Sequence, residues 1–224
     1  HKPSNWLKRE NFLNGIAAYL SLGGSTNAAI HLIAMANRAK VQLTLDDMAE
    51  LARHIPVLAN LFPSGEKLME EFYFAGGLLA QLSKITDFLH QESVGVTNQP
   101  VSQWLENAHC YDDDIIRNLD NPIVPLSQGC ALTVLRGNLC PNGAVMKSSA
   151  ASPALRHHRG PALVFDTHQQ LSDCIDDPDL DVTKDSVIIL RNAGPVGAPG
   201  MPEWGNLPIP KKLLQQGVTD MVRI

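Results

Sequence analysis

The spacing of apolar residues changes once along the chain, near the acidic run Asp112–Asp114, and this change limits what the chain can fold into. Before the run, apolar residues recur every three or four positions, which is typical of amphipathic helices. After it, short apolar runs are separated by glycine, proline and asparagine, which is typical of short strands. Helices followed by strands predict an α+β chain in two parts, joined between Tyr111 and Pro125.

The helical part carries recognisable signals for where helices begin and end. The apolar spacing predicts a helix over residues 11–20, which Gly23-Gly24 ends, and Ser25 is the expected N-cap of the next helix. Thr44 and Asp47 fit a capping box, in which each side chain binds the backbone N–H of the other residue. Further helices are predicted over residues 78–89 and around Trp104.

The second part is predicted to contain short strands and two short helices. The strand predictions rest on β-branched and apolar runs bounded by turn residues. The predicted strands cover residues 131–135, 144–146, 162–165, 187–190 and 221–224, and the helices cover 169–175 and 211–216.

The turn Gly23-Gly24-Ser25-Thr26-Asn27 is the first candidate binding site. Backbone N–H groups and the positive end of the following helix attract a carboxylate or phosphate, so Gly24, Ser25, Thr26 and Asn27 are candidate ligands for such an anion. An ordinary tight turn with a good N-cap, followed by a core histidine at His31, explains the same residues.

A second candidate lies in the segment from Leu135 to Lys147. Asn142-Gly143 is a strong turn signal, and the turn would bring together two strands that carry Arg136, Asn138 and Lys147. These three side chains are candidate ligands for an anion or a hydroxyl group. A plain hairpin with a solvated lysine is the alternative.

The loop from Asn192 to Glu203 is rich in glycine and proline and directly follows a predicted strand. Such a loop has a restricted backbone and is suited to positioning a ligand, although its glycine spacing differs from that of nucleotide-binding loops. Glu203 at its end is an oxygen ligand suited to Mg²⁺. An exposed charge is the alternative interpretation of Glu203.

Composition excludes several classes of function. The net charge of −5 argues against nucleic-acid binding, and no stretch is apolar enough to cross a membrane. The cysteines Cys110, Cys130, Cys140 and Cys174 lack the spacing of a metal or cluster motif. We therefore expect free thiols in a reducing compartment, the cytoplasm.

Ten short segments follow one another as they do in one enzyme family. In all of them the sequence resembles the dihydroxy-acid and sugar-acid dehydratases: GGSTN, LTLDDM, PVLANLFPSG, EEFYFAGG, LDNPI, VLRGNL, PNGAVMK, GPALVFD, GPVGAPGMPE and KLLQQGVTDMVRI. The resemblance covers essentially all 224 residues. The segments SSAASPALRHHRG and WGNLPIPKKLLQQGVTDMVRI are most similar to arabinonate and xylonate dehydratases.

The resemblance implies a hydro-lyase that converts a 2,3-dihydroxy sugar acid to a 2-keto-3-deoxy acid. It implies an iron–sulfur cluster and a Mg²⁺ ion in the full-length protein, with Glu203 as a Mg²⁺ ligand and a small hydroxy acid as substrate. Residues 1–115 would form the helical end of an α/β cluster domain, and residues 116–224 part of a C-terminal β-barrel-like domain. Family members form homodimers or tetramers.

By the same resemblance, two parts of the active site are expected outside this chain. The cluster cysteines would precede residue 1, and a catalytic serine would follow Ile224. We therefore expect an internal segment that is inactive alone and binds no cofactor tightly. A branched-chain dihydroxy acid or 6-phosphogluconate is an alternative substrate, and a truncated paralogue without catalytic activity is an alternative of another class.

Overall fold

The structure is a computed structural model that describes residues 2–193 and 207–224. Its backbone divides into two compact units, His1–Ala150 and Ala151–Ile224. Residues after the predicted junction at 115 belong to the first unit because they pair with an extended core segment: Val57 bridges Val124, and Ala59 bridges Ile116. The assignment of residues 1–115 and 116–224 to two domains of the full-length protein stays a prediction.

The first unit is mainly helical. Its helices are α1 (Arg9–Ser21), α2 (Thr26–Arg38), α3 (Leu45–Ala52), α4 (Met69–Phe74), α5 (Gly77–Ser83) and α6 (Val101–Leu105). Three 3₁₀ turns, at Pro3–Asn5, Thr86–Phe88 and Ser148–Ala150, and the strands β1 (Thr133–Leu135) and β2 (Ala144–Met146) complete the described elements of this unit.

Helix α1 lies at the centre of the first unit. It packs against α2, α3 and α5, and Ile16, Ala17 and Leu20 on it are fully buried. The buried side chains clustered with this stripe are mainly aliphatic and include Met48, Ile55, Leu58, Ile85 and Leu132. Burial of each such side chain contributes roughly 1.5–3 kcal/mol, so this cluster is the main source of stability in the unit.

The predicted caps of α2 and α3 are confirmed. The Ser25 hydroxyl accepts a hydrogen bond from the backbone N–H of Asn27 at 3.2 Å. Thr44 and Asp47 form the predicted capping box, and Arg9 of α1 donates to the Asp47 carboxylate at 2.5 Å. Burial alone would raise the pKa of Asp47, but the hydrogen bonds from Arg9 and Thr44 outweigh it and hold the pKa below 3.8.

The turn signal at Asn142-Gly143 does join two antiparallel strands. Leu135 pairs with Ala144 and Thr133 with Met146, and Gly143 has a φ of +106°, which glycine adopts without strain. The connection spans eight residues, because β1 ends at Leu135 and β2 begins at Ala144. The predicted first strand, 131–135, is two residues too long: Ala131 and Leu132 are buried in the core outside it.

The second unit is built on parallel strands. Its elements are a 3₁₀ turn (Pro153–Leu155), β3 (Ala162–Phe165), α7 (His168–Cys174), β4 (Val187–Leu190) and α8 (Lys211–Gln215). β3 pairs with β4 from Ala162–Val187 to Phe165–Leu190, and Arg223 adds a parallel bridge to Ile188. Its core is Phe165, Leu171, Ile175, Val182, Ile188, Leu190, Leu207, Leu213 and Met221.

The helix predicted over residues 78–89 ends early. α5 stops at Ser83, whose hydroxyl donates to the Ala80 carbonyl at 2.8 Å, a local bond that competes with helical pairing. Ile85 leaves the helical region at φ −123° and ψ 25° and is fully buried. The apolar spacing extends beyond α5 because the 3₁₀ turn Thr86–Phe88 follows closely and continues the pattern.

The described strands form a two-stranded antiparallel pair and a two-stranded parallel pair. This agrees with an α+β chain, and the barrel-like domain stays a proposal for the full-length protein. In residues 2–193 and 207–224, no helix has the length and apolar character needed to cross a bilayer.

The capping box at α3 gives a test of this account. Replacing Thr44 with alanine removes the acceptor for the Asp47 N–H, so we expect the free energy of unfolding to fall by about 1 kcal/mol. Thr219→Ala, at an exposed threonine outside any helix, is the matched control and should change it by less than about 0.5 kcal/mol. Urea unfolding measures both, and equal effects would contradict the assignment.

Candidate functional site

The turn before α2 needs two glycines for different reasons. Gly23 has a φ of +68°, and a Cβ there would lie 3.1 Å from the Val57 side chain and 3.2 Å from the Ser64 hydroxyl. A Cβ on Gly24 would overlap the ring of Tyr19. The backbone of the turn therefore lies directly against the side chains of Val57, Ser64 and Tyr19. Glycine permits this close approach because it has no Cβ.

Tyr19 is held under this turn with its phenol buried. The residue is 8% exposed, and its hydroxyl has no hydrogen-bond partner in the part of the chain that the structure describes. Burial raises the pKa of Tyr19 well above its usual value of 10. The phenol therefore stays neutral and remains a donor that no described protein group uses.

Lys147 brings the second predicted segment to the first. It follows β2 directly, and its ammonium donates a hydrogen bond to the backbone carbonyl of Gly23, 124 residues away in sequence. Lys147 is partly buried, and burial lowers the pKa of its side chain. Within the described residues no carboxylate lies at ion-pair distance, so its positive charge is not neutralised by the protein there.

Two serines complete this group. The hydroxyls of Ser64 and Ser149 are 2.8 Å apart, and Ser149 lies two residues after Lys147. Ser148, which lies between Lys147 and Ser149 in the sequence, is buried. Its hydroxyl donates to the Cys130 carbonyl at 2.7 Å and lies 2.8 Å from the Thr133 hydroxyl. Ser148 thus anchors the segment that presents Lys147 and Ser149.

We call this group the lysine site. It comprises the turn 23–27, Ser64, Lys147 and Ser149. A helix N-terminus, an ammonium without a carboxylate partner and two hydroxyls are the groups that bind a carboxylate and neighbouring hydroxyls. Of the predicted substrate residues, the structure places Gly24, Ser25, Thr26, Asn27 and Lys147 here.

Arg136 and Asn138 have other surroundings. Arg136 binds Asp46, one residue inside α3, at 2.5 Å, and both side chains are largely exposed. Asn138 is exposed in the loop after β1 and makes no side-chain hydrogen bond within the described residues. His31 on α2 is exposed and not part of a core. A substrate role for Arg136 and Asn138 stays a prediction.

The sequence analysis missed Ser64, Ser149 and Tyr19. Ser64 and Ser149 are separated by 85 residues, so no spacing rule joins them. The only available signals were their positions in the resemblance, in PVLANLFPSG and SSAASPALRHHRG. Tyr19 gave no signal, because a tyrosine in an apolar helix face is typical of a core residue.

The iron–sulfur cluster and the Mg²⁺ ion that the resemblance implies stay predictions for the full-length protein. Residues 2–193 and 207–224 contain no group of three or more His, Cys, Asp or Glu side chains placed to hold a metal ion. Cys110, Cys130, Cys140 and Cys174 are free, and the first three contact backbone carbonyls of their own loops. The predicted Mg²⁺ ligand Glu203 lies outside the described residues.

Comparison with known proteins matches both parts of the chain to one family. Residues 1–104 match the family model for the dihydroxy-acid/6-phosphogluconate dehydratase N-terminal region, and residues 114–224 match the model for its C-terminal region. The lysine site contains residues from both matched regions, since Gly23 lies in one and Lys147 in the other.

Three relatives illustrate the similarity. The chain is 65% identical to a 6-deoxy-6-sulfo-D-gluconate dehydratase of Pseudomonas putida and 40% identical to an L-arabinonate dehydratase of Rhizobium leguminosarum bv. trifolii, over 100% of its length in each case. It is 38% identical to a dihydroxy-acid dehydratase of Acetivibrio thermocellus over 90% of its length. The chain spans 36% to 38% of the length of these relatives.

The packing at Gly24 gives a test of the turn geometry. Gly24→Ala places a methyl group where the Tyr19 ring lies, so we expect the free energy of unfolding to fall by about 1–3 kcal/mol. The matched control is Gly15→Ala in α1, where no atom lies within 4 Å of the new methyl group. That change should be neutral or stabilising by up to about 1 kcal/mol. Chemical unfolding of both variants measures these changes in the free energy of unfolding. A Gly24→Ala protein as stable as the wild type would contradict the described packing.

Proposed function

Because the chain belongs to the dihydroxy-acid/6-phosphogluconate dehydratase family, we propose that it is part of a hydro-lyase that acts on a sugar acid. The reaction removes the proton at C2 and the hydroxyl group at C3 as water, and the resulting enol becomes a 2-keto-3-deoxy acid. The observation that carries the proposal is the match of both parts of the chain, in order, to the two regions of this one family.

We assign substrate binding to the lysine site. The substrate is an anion with adjacent hydroxyl groups. Lys147 and the positive end of α2 would hold the carboxylate, while Ser64 and Ser149 would bind hydroxyl groups. The lowered pKa of Lys147 reflects the cost of burying an unpaired ammonium, which a bound carboxylate would offset.

A sugar acid with an anionic group at C6 is the favoured substrate. The 65% identical relative is named for 6-deoxy-6-sulfo-D-gluconate, whereas the L-arabinonate relative is 40% identical and the dihydroxy-acid relative 38%. Arabinonate is the second candidate, since two relatives bear that substrate in their names. The four free thiols favour a reducing compartment, and we place the protein in the cytoplasm.

A substrate panel on the full-length protein tests the substrate. We expect the highest kcat/KM with 6-deoxy-6-sulfo-D-gluconate, a lower value with L-arabinonate, and the lowest with a branched-chain 2,3-dihydroxy acid. Formation of the 2-keto product as its semicarbazone measures the rate. Activity only on the branched-chain acid would contradict the sugar-acid assignment, and no activity on any of them would favour the non-catalytic paralogue.

Lys147→Gln in the full-length protein tests the site. Loss of a charged hydrogen-bond donor to a bound carboxylate should lower kcat/KM by about 10- to 100-fold, mainly through KM. Lys184→Gln, at an exposed lysine in the second unit, is the matched control and should leave kcat/KM unchanged. Circular dichroism verifies that both variants fold. A folded Lys147→Gln enzyme with wild-type kcat/KM would exclude Lys147 from substrate binding.

A further inference from the structure

A cavity bordered by α1, α5 and α6 shares no residue with the lysine site, and we call it the tryptophan cavity. It has a volume of about 210 Å³. Two tryptophans, Trp6 and Trp104, border it, and no charged side chain lines it in the part of the chain that the structure describes. Most of the other lining residues are apolar: Ala18, Leu78, Leu82, Leu89, Val96 and Val101.

The face of α1 that borders the tryptophan cavity carries small residues. Asn11, Asn14, Gly15 and Ala18 line the cavity and recur at three- and four-residue spacing, so they lie on one side of the helix. Helix α5 packs against α1, and its own lining residues are four positions apart. Because Gly15 and Ala18 have almost no side chain, α1 leaves the space beside α5 unfilled.

Gly15 in particular keeps the tryptophan cavity open. No described atom lies within 4 Å of the position that a Cβ on Gly15 would take. The residue lies in the middle of α1 with a helical backbone, so neither packing nor a positive φ requires glycine there. Inside a helix, glycine is less favourable than alanine. Space for a ligand is a physical reason for a glycine at this position.

The walls of the tryptophan cavity are held by hydrogen bonds from two asparagines of α1. Asn11 donates to the backbone carbonyls of Trp6 and Val94, at 2.6 Å and 2.8 Å. Asn14 accepts from the backbone N–H of His90 at 2.7 Å and donates to the carbonyl of the same residue at 3.2 Å. Both amides therefore fix the surrounding loops, and the cavity is formed before any ligand binds.

Trp104 forms a fixed aromatic wall. Its indole N–H donates to the Thr97 hydroxyl at 2.6 Å, so the polar edge of the ring already has a partner. The ring lies directly against the backbone of Gly95, where a Cβ would lie 2.0 Å from the ring. The carbon atoms of the indole remain for contact with a ligand, and aromatic rings pack favourably against other rings.

The size and the opening of the tryptophan cavity suit a small molecule. An apolar cavity of about 150 Å³ binds benzene, so a volume of about 210 Å³ admits one substituted benzene ring. Leu78 and Val96 line the cavity and are also 51% and 57% exposed, so the cavity reaches the surface at these side chains. A ligand can therefore enter without unfolding of the protein.

We propose that the tryptophan cavity, between Trp6, Gly15 and Trp104, binds a small uncharged aromatic molecule of about the size of a substituted benzene. The described lining offers no charged partner, so a carboxylate would lose its hydration there without compensation. The cavity therefore selects against organic acids, including the proposed substrate. The site is independent of the proposed activity.

Calorimetric titration of the full-length protein with toluene tests the site. We expect a Kd on the order of 0.1–1 mM, and benzoate, an anion of similar size, should bind at least about 10-fold more weakly. Gly15→Leu and Ala18→Leu each place a side chain in the cavity, so each should abolish toluene binding. Gly137→Leu, at an exposed glycine of the β1–β2 loop with no atom within 4 Å of the new Cβ, is the matched control and should leave the Kd unchanged.

Tryptophan fluorescence locates the bound toluene and does not depend on the filled variants. Toluene should shift the emission to shorter wavelength, because it replaces water beside Trp6 and Trp104. The double variant Trp6→Phe/Trp104→Phe keeps aromatic walls, so it should still bind toluene in the calorimeter while losing this emission shift.

Four results would each overturn the assignment: no toluene binding by the wild type, toluene binding that persists in a folded Gly15→Leu or Ala18→Leu protein, equal affinity for benzoate, or an unchanged emission shift in the double variant. A wild type that does not bind toluene, combined with a lower unfolding temperature for Gly15→Leu, would show that a side chain from another segment of the full-length protein fills the cavity instead.

Discussion

The close approach of the Gly23-Gly24 turn to its neighbours is the contact on which the rest of the first unit depends. Tyr19 fills the space beside Gly24, while Val57 and Ser64 lie against Gly23. This contact sets the angle at which the chain leaves α1, the central helix, and enters α2. Because protein interiors are packed as densely as crystals, a single methyl group at this position would displace the turn or the ring.

The same turn is the point where the helical part and the β1–β2 hairpin meet. The Lys147 ammonium holds the Gly23 carbonyl, and Ser148 behind it is bound to the Cys130 carbonyl and the Thr133 hydroxyl. An ammonium partly withdrawn from water without a carboxylate partner lowers stability, which is the usual cost of a binding group prepared for an anion. This unpaired charge is the physical basis of the proposal that the lysine site binds the substrate carboxylate.

Two ion pairs elsewhere in the first unit have a structural role. Asp47 joins the capping box of α3 to Arg9 of α1, and Arg136 joins the loop after β1 to Asp46. Both pairs are partly exposed, so each contributes little to stability, yet together they hold α3 between α1 and the hairpin. Arg136 and Lys147, which the same hairpin signal predicted as ligands, therefore differ in one respect. Arg136 has a carboxylate partner, and Lys147 has none within the described residues.

Local interactions were predictable from the sequence, and contacts between distant segments were not. The caps at Ser25 and Thr44, the break at Gly23-Gly24 and the strands 144–146, 162–165 and 187–190 follow from dihedral preferences and side-chain bonds within a few residues, so the sequence determined them. Helix α5 ends earlier than its apolar spacing indicated, because Ser83 bonds back to Ala80 and Ile85, buried in the core, leaves the helical region. The pairing of Lys147 with Gly23 and of Ser64 with Ser149 arises only when segments 85 to 124 residues apart pack together. No periodicity records such contacts, so only the tertiary structure decided which of the candidate residues share a site.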